Sequence, residues 1–181
     1  MVRRVVVLAA LLAAGCRDGR EADIRRLGAG DLGTERVVLQ RTRSDCGDAC
    51  LAMVCRGPNA RDAVARVLGR TPRGPRGLTL LALKDAAERL GFIATGWRTT
   101  SAGLRAVRRP AILFVRGNHY VVLDSVTQDG SVFLRDPAIG RIFLRAQRLT
   151  RIWKGEVLEL APRTPAGGRD TSASVHGTAD P

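Results

Sequence analysis

The stretch Gln40-Arg-Thr-Arg-Ser-Asp-Cys46-Gly-Asp-Ala-Cys50-Leu-Ala-Met53 is a polar turn that runs into an apolar helix. Apolar residues recur at i, i+3 and i+4 spacing over residues 46–55, which is typical of a helix that buries one face. Cys46 is the first residue of this predicted helix, and the positive end of a helix dipole favours a thiolate over a thiol. The sequence therefore predicts a reactive cysteine at the start of a buried helix.

Helices come first along the chain and strands come second. Asn59 and Thr79 are predicted to cap two further helices, which Gly69 and Gly91 stop. Residues 37–39 form a short apolar entry strand or extended segment. After residue 91 the apolar period changes to two, and strands are predicted at 92–97, 111–115, 120–126, 131–134, 141–144 and 157–160. This order predicts an α+β fold in which N-terminal helices pack on a C-terminal antiparallel sheet, with a cleft between them.

A histidine and an aspartate on predicted strands are candidates to activate the cysteine. His119 is the only histidine of the predicted fold, since His176 lies in a polar tail, so it is the candidate general base and acid. Asp136, which is 136 − 119 = 17 residues further on, would lie on a returning strand and could orient the imidazole. Asp124 is the alternative, but it follows on the strand of His119 and its side chain is expected on the opposite face.

A tetrahedral intermediate on the cysteine would also need hydrogen-bond donors. The backbone N–H of Cys46 is one candidate, and the side-chain amide of Gln40, 46 − 40 = 6 residues upstream, is the other. Taken singly, Gln40 and Asp136 are equally compatible with a structural role. Cys50 and Cys55 are interpreted as small hydrophobic residues, because their positions on one helix suit a disulfide poorly. The cysteines and histidine also lack the paired short spacing of a zinc site, so no metal is predicted.

The chain resembles the double-glycine leader peptidases, a cysteine peptidase family best known as the N-terminal domain of bacteriocin-exporting transporters. The similar stretches follow in order as Leu39-Gln40-x5-Cys46-Gly-x-Ala-Cys-Leu-Ala-Met53, Gly77-Leu78, Ala86-Ala87-x2-Leu90-Gly91, Pro110-Ala-Ile-Leu113, Asn118-His119-Tyr-Val-Val-Leu123, Asp136-Pro137-x2-Gly140 and Trp153-x-Gly155. The resemblance implies a papain-like fold with Cys46 as nucleophile, His119 as base and acid, Asp136 as orienting group and Gln40 in the oxyanion hole. It implies no cofactor.

Composition separates a globular domain from a nucleic-acid-binding one. The 181 residues are 45% hydrophobic, enough for one domain with a real core. The net charge of +13 comes almost entirely from arginine. These arginines are scattered over every segment, and no aromatic-rich strand lies among them to stack bases. We therefore expect a solvated basic surface and no nucleic-acid partner.

The two ends of the chain are not predicted to belong to the folded domain. Residues 1–15 combine Arg3 and Arg4 with an apolar run too short to span a bilayer, as in a signal peptide. The sequence Leu12-Ala-Ala-Gly15-Cys16 resembles a lipoprotein cleavage box, which makes Cys16 the predicted lipidation site. Residues 16–35 are expected to be a flexible tether, 36–161 the peptidase domain and 162–181 a disordered tail. The protein is thus expected to be exported and anchored by lipid, facing the periplasm or the cell exterior, or otherwise to be secreted.

Three functions are compatible with these residues. The first is hydrolysis of a peptide bond in a peptide or protein substrate, possibly after Gly-Gly in a leader, through a Cys-His-Asp triad and a thioester. The second is a catalytically silent module of the same fold that binds a peptide. The third is a papain-like amidase or acyltransferase, which begins with the same thioester.

Overall fold

The computed structural model describes residues 30–69, 71–74 and 77–163. The predicted signal peptide, Cys16, residues 16–29 of the tether and residues 164–181 of the tail lie outside these ranges. Within them, no helix is long and apolar enough to cross a membrane.

Four α-helices and seven strands make up the described chain, in the order expected of an α+β fold. The helices are α1 (Cys46–Cys55), α2 (Ala60–Leu68), α3 (Leu80–Arg89) and α4 (Ala146–Ile152). The strands are β1 (Gly30–Asp31), β2 (Phe92–Arg98), β3 (Ala111–Val115), β4 (His119–Val126), β5 (Val132–Asp136), β6 (Gly140–Leu144) and β7 (Trp153–Pro162). All seven strands form one sheet in the order β1-β6-β5-β4-β3-β7-β2, and every pairing is antiparallel.

The sheet separates two hydrophobic cores. On one face, α1, α2 and α3 pack over side chains of β2, β3, β4 and β7, among them Ala94, Ile112, Val122 and Leu158. On the other face, alternate residues of the same strands, such as Leu113 and Leu123, join Leu149 of α4. The period of two places consecutive strand residues on opposite faces, so one sheet serves both cores.

Helix α1 is buried on almost all sides. Eight of its ten residues are buried, and only Asp48 and Cys55 are partly exposed. A Cβ atom added at Gly47 would lie 2.9 Å from Leu83 Cδ2, so glycine permits the close approach of α3. The Thr79 hydroxyl accepts the backbone N–H of Ala82 at 3.1 Å and caps α3 as predicted. Tight packing therefore fixes the start of α1 against the sheet.

One predicted boundary needs correction, and one helix was not predicted. Gly30 and Asp31 form a strand that pairs with β6, although they lie in the segment 16–35 that was predicted as a flexible tether. Residues 37–39, predicted as an entry strand or an extended segment, form no strand, and Val37 and Val38 pack on the core. The short helix α4 was not predicted, since one buried residue, Leu149, is too little for a helical period to show. Backbone pairing at a sheet edge, as in β1, likewise needs no side-chain pattern.

We predict that Gly140→Ala destabilises the fold by at least about 2 kcal/mol. Gly140 has φ +128°, and a Cβ there would lie 2.6 Å from the carbonyl oxygen of Gly33. Chemical denaturation followed by circular dichroism measures the change. The control is Gly96→Ala, where the added Cβ comes no closer than 3.9 Å to Leu80 and we expect a change within about 0.5 kcal/mol. Equal unfolding midpoints for both variants would contradict the prediction.

Candidate active site

A buried histidine–aspartate pair lies where β4 begins and β5 ends. The Nε2 atom of His119 is 2.8 Å from Oδ1 of Asp136. His119 is 4% exposed and Asp136 is 2% exposed, so water screens the pair weakly. The same carboxylate oxygen accepts the backbone N–H of Ala138 at 2.8 Å, which fixes its orientation. The hydrogen bond from the backbone of Ala138 thus holds the Asp136 carboxylate in place beside the imidazole of His119.

The alternative aspartate has a different partner. Both oxygens of Asp124 accept hydrogen bonds from the guanidinium of Arg135, at 2.8–3.1 Å. Of the two candidates for orienting the imidazole, the structure brings Asp136 to His119 and gives Asp124 to Arg135.

Cys46 occupies the first turn of α1 and faces the histidine. Its side chain is hydrogen-bonded to His119 and is 1% exposed. Because Asp136 occupies Nε2, Nδ1 is the ring nitrogen that remains for the Cys46 sulfur. The three side chains form a chain from acid to base to thiol, and all three are among the residues predicted from the sequence.

The environment of His119 favours the charged imidazolium. Burial alone opposes the charge and is the largest single influence on its pKa. The negative charge and hydrogen bond of Asp136, together with the hydrogen bond and charge of Cys46, act in the other direction. Their sum raises the pKa of His119 from 6.5 to about 9. The ring is therefore protonated near neutral pH, as a histidine that has taken the proton of a thiol would be.

The other two cysteines of α1 lack this environment. Burial raises the pKa of the Cys50 thiol well above its usual value, and the charge of Cys46 raises it further. Burial also raises the pKa of Cys55. Both are free thiols, as is Cys46. High thiol pKa values leave little thiolate at neutral pH, so Cys50 and Cys55 are poor nucleophiles.

Gln40 is held beside the loop that follows Asp136. Its backbone N–H donates to the carbonyl oxygen of Pro137 at 2.8 Å, and its Nε2 donates to the carbonyl oxygen of Thr42 at 2.9 Å. The Asp45 carboxylate accepts the backbone N–H groups of Arg41 and Thr42 at 3.0 and 2.9 Å. The turn between Gln40 and Cys46 is thereby closed on itself. One loop thus joins the predicted oxyanion donor to the acid of the buried pair.

Sequence reasoning missed two contacts around the site. Arg73 forms a bidentate ion pair with Asp48 of α1, with both N···O distances 2.7 Å. The buried hydroxyl of Tyr120 donates to the carbonyl oxygen of Leu78 at 3.0 Å, which ties β4 to the segment before α3. Both contacts join residues far apart in sequence, and no local pattern signals them. In the part of the chain that the structure describes, no group of three His, Cys, Asp or Glu residues could hold a metal ion.

Comparison with known proteins gives one consistent result. The sequence profile of the Peptidase C39 family matches residues 34–165. The colicin V secretion/processing ATP-binding protein of Escherichia coli is 32% identical over 126 residues, which cover 70% of this chain and 18% of that protein. The chain thus spans less than a fifth of the length of this transporter. An uncharacterized protein of Methanothermobacter marburgensis is 36% identical over 130 residues, covering 70% of this chain and 89% of that protein.

A solved structure extends this likeness to the fold. It is the crystal structure of a double glycine motif protease from an AMS/PCAT transporter in complex with the leader peptide. It is 27% identical with a TM-score of 0.61, over 70% of this chain and 90% of that chain. The comparisons confirm the papain-like α+β fold and the resemblance that the sequence motifs indicated.

The raised pKa of His119 predicts how stability depends on pH. A group with a higher pKa in the folded state stabilises the fold fully below its unfolded pKa, near 6.5, and this contribution is lost as pH rises through about 9. We expect the free energy of unfolding to fall over that window by a few kcal/mol at most. Asp136→Asn removes the charge that raises the pKa of His119, so this fall should become much smaller.

Urea denaturation of both proteins between pH 6 and pH 10 measures the effect. Asp62→Asn is the matched control, since Asp62 is an exposed aspartate of α2. Parallel stability curves for the wild type and Asp136→Asn would show that Asp136 does not raise the pKa of His119.

Proposed function

The chain belongs to the Peptidase C39 family, and we propose that it is an active cysteine peptidase that cuts a peptide or protein substrate through a thioester on Cys46. The observation that supports this most directly is the buried hydrogen-bonded series Asp136, His119 and Cys46. Asp136 orients the imidazole, and the imidazole receives the thiol proton. The raised pKa of His119 favours the resulting imidazolium beside a thiolate.

Acylation needs one proton to move twice. His119 takes the proton of Cys46, and the sulfur attacks the scissile carbonyl carbon to give a tetrahedral oxyanion. His119 then gives the proton to the departing amine, the C–N bond breaks, and the acyl group remains on Cys46 as a thioester. A water molecule, deprotonated by His119, attacks the thioester carbonyl, and the C–S bond breaks to release the acid and restore the thiol.

Two donors are proposed for the oxyanion. The backbone N–H of Cys46 lies in the first turn of α1, where backbone N–H groups have no partner within the helix. Gln40 supplies the second when its amide turns from the carbonyl of Thr42, while its backbone stays bound to Pro137.

The seclusion of the nucleophile favours a substrate with glycine next to the scissile bond. Cys46 is 1% exposed, and Gly77 packs so closely on the turn before it that a Cβ there would lie 2.8 Å from the carbonyl oxygen of Ser44. A peptide without side chains at these positions brings its carbonyl to the sulfur with the least steric conflict. Cleavage after Gly-Gly in a leader peptide is therefore our proposed specificity, in agreement with the leader-bound double glycine motif protease.

We also propose that the enzyme acts outside the cytoplasm, held by a lipid on Cys16. The support is the sequence of residues 1–16, namely a basic start, an apolar run and Ala-Ala-Gly-Cys at its end. Several acyl chains on one cysteine would hold the protein firmly at a membrane surface.

Peptide cleavage is the direct test of the proposed chemistry. With a substrate that contains Gly-Gly before the scissile bond, Cys46→Ala and His119→Ala should each lower kcat/KM by at least about 10⁴-fold, and Gln40→Ala by about 10²-fold. Replacing Gly-Gly by Ala-Ala in the substrate should cost at least about tenfold for each added methyl group. Mass spectrometry of the products gives both rate and cleavage position.

Cys55→Ala is the matched control, because Cys55 is a half-buried thiol of the same helix outside the site. It should keep wild-type activity. Activity that survives Cys46→Ala would refute the mechanism. A thiol that reacts with a peptidase probe but cleaves no peptide, or transfers its acyl group to an added amine instead of water, would identify one of the two other functions.

The lipid anchor has its own test. Cells that express the full chain and are fed labelled palmitate should incorporate the label, and Cys16→Ser should abolish the incorporation. Cys55→Ser controls for thioester-linked labelling elsewhere. Equal labelling of the Cys16→Ser protein would exclude this site.

A further inference from the structure

A cavity opens at the C-terminal end of α1, away from Cys46. Its volume is about 860 Å³, within the range of small-molecule sites. Ala52, Met53 and Arg56, at the C-terminal end of α1, line one side of it. An α-helix of ten residues is roughly 15 Å long, so the catalytic centre and this cavity lie at opposite ends of one helix.

Four arginines and two acidic residues are among the residues that line the cavity. Arg36, Arg56, Arg135 and Arg141 are the cations, and Glu35 and Asp124 are the anions. Asp124 is neutralised by Arg135, and Glu35 lies 3.7 Å from Arg36. Arg56 and Arg141 form no side-chain hydrogen bond or ion pair with another residue of ranges 30–69, 71–74 and 77–163. Two positive charges therefore remain uncompensated around one cavity.

Two residues that line the cavity have an unusual backbone conformation. Arg36 has φ +58° and Arg56 has φ +49°, two of the three non-glycine residues with positive φ in the described ranges. Non-glycine residues in this conformation are strained, and such residues cluster at ligand sites.

The lining also has an apolar part. Val37, Val38 and Met53 contribute to the wall, next to the guanidinium groups. An inorganic anion would use the charge but leave this wall uncovered. A molecule with a charged oxyanion group and a short hydrocarbon segment would satisfy both, and arginine binds carboxylate and phosphate oxygens by paired hydrogen bonds.

We propose that this cavity is a second binding site, which takes a small amphipathic anion through Arg56 and Arg141. Its charged group, carboxylate or phosphate, binds the two guanidiniums, and its apolar segment lies on Val37, Val38 and Met53. Arg135 forms the inner wall, and Asp136, the next residue, points to the opposite face of β5 toward His119. The site is thus separate from the catalytic centre but shares α1 and β5 with it.

Calorimetric titration of the full chain carrying Cys46→Ala tests the proposal independently of peptidase activity. The probes are hexyl phosphate, hexanoate, hexanol and inorganic phosphate, in about 150 mM salt to screen weak surface charge. We expect saturable binding of hexyl phosphate or hexanoate, with hexanol and inorganic phosphate at least about tenfold weaker. The better of the two charged probes identifies the oxyanion group.

Arg56→Gln and Arg141→Gln should each weaken the binding of the preferred probe by about tenfold. Both side chains lack partners in the described ranges, so the substitutions should leave the unfolding midpoint unchanged. Arg151→Gln removes the same charge from an exposed position of α4 that is not part of the cavity, and it should bind like the parent protein. Absence of saturable binding up to 10 mM probe, equal binding of hexanol, or equal weakening by Arg151→Gln would each overturn the proposal.

Discussion

One buried guanidinium ties helix α1 to the sheet and to the chain before it. Arg135 is 7% exposed and donates to Asp124 on β4, to the carbonyl oxygen of Met53 at 3.2 Å and to that of Arg36 at 3.3 Å. The desolvation cost of a buried ion pair is offset only when further hydrogen bonds satisfy it, as they do here. A cation at the C-terminal end of a helix also interacts favourably with the helix dipole. This side chain thus fastens the C-terminal end of α1 to β4, β5 and the segment before the helix.

The proposed catalytic centre assembles because adjacent elements share these constraints. Arg135 and Asp136 are consecutive on β5, so strand geometry points one to the end of α1 and the other to His119. The backbone N–H of Gln40 donates to the carbonyl oxygen of Pro137, the residue directly after Asp136. Gln40 and Cys46 lie at the two ends of one turn, which the hydrogen bonds of Asp45 close. A shift of β5 relative to α1 would therefore move Asp136 and the bound Gln40 segment relative to Cys46. Such coupling explains how a site built from four separate segments keeps hydrogen-bond distances.

Elements with a strong apolar period could be predicted from the sequence, and those held by long-range contacts could not. The predicted ranges 46–55 and 111–115 agree with the observed helix α1 and strand β3. Strand alternation also favoured Asp136 over Asp124 as the partner of His119. Arg135 is hydrogen-bonded to Met53 and to Arg36, from which it is separated by 82 and 99 positions along the chain. No local sequence pattern predicts contacts over such distances. The edge strand β1 pairs through its backbone alone, so its side chains carry no signal.

Cys46, the proposed nucleophile, is almost closed to solvent, and this has a chemical consequence beyond substrate choice. Reagents that attack thiolates usually discriminate by electrophile strength, since most reactive cysteines are open to them. At Cys46 the shape of the reagent matters more than its electrophile strength, because bulky alkylating agents and large disulfides meet the surrounding backbone before they meet the sulfur. An inhibitor of the proposed peptidase activity would therefore owe its selectivity to a reactive group mounted on a scaffold as slender as a glycine backbone, even when that group itself is only mildly reactive.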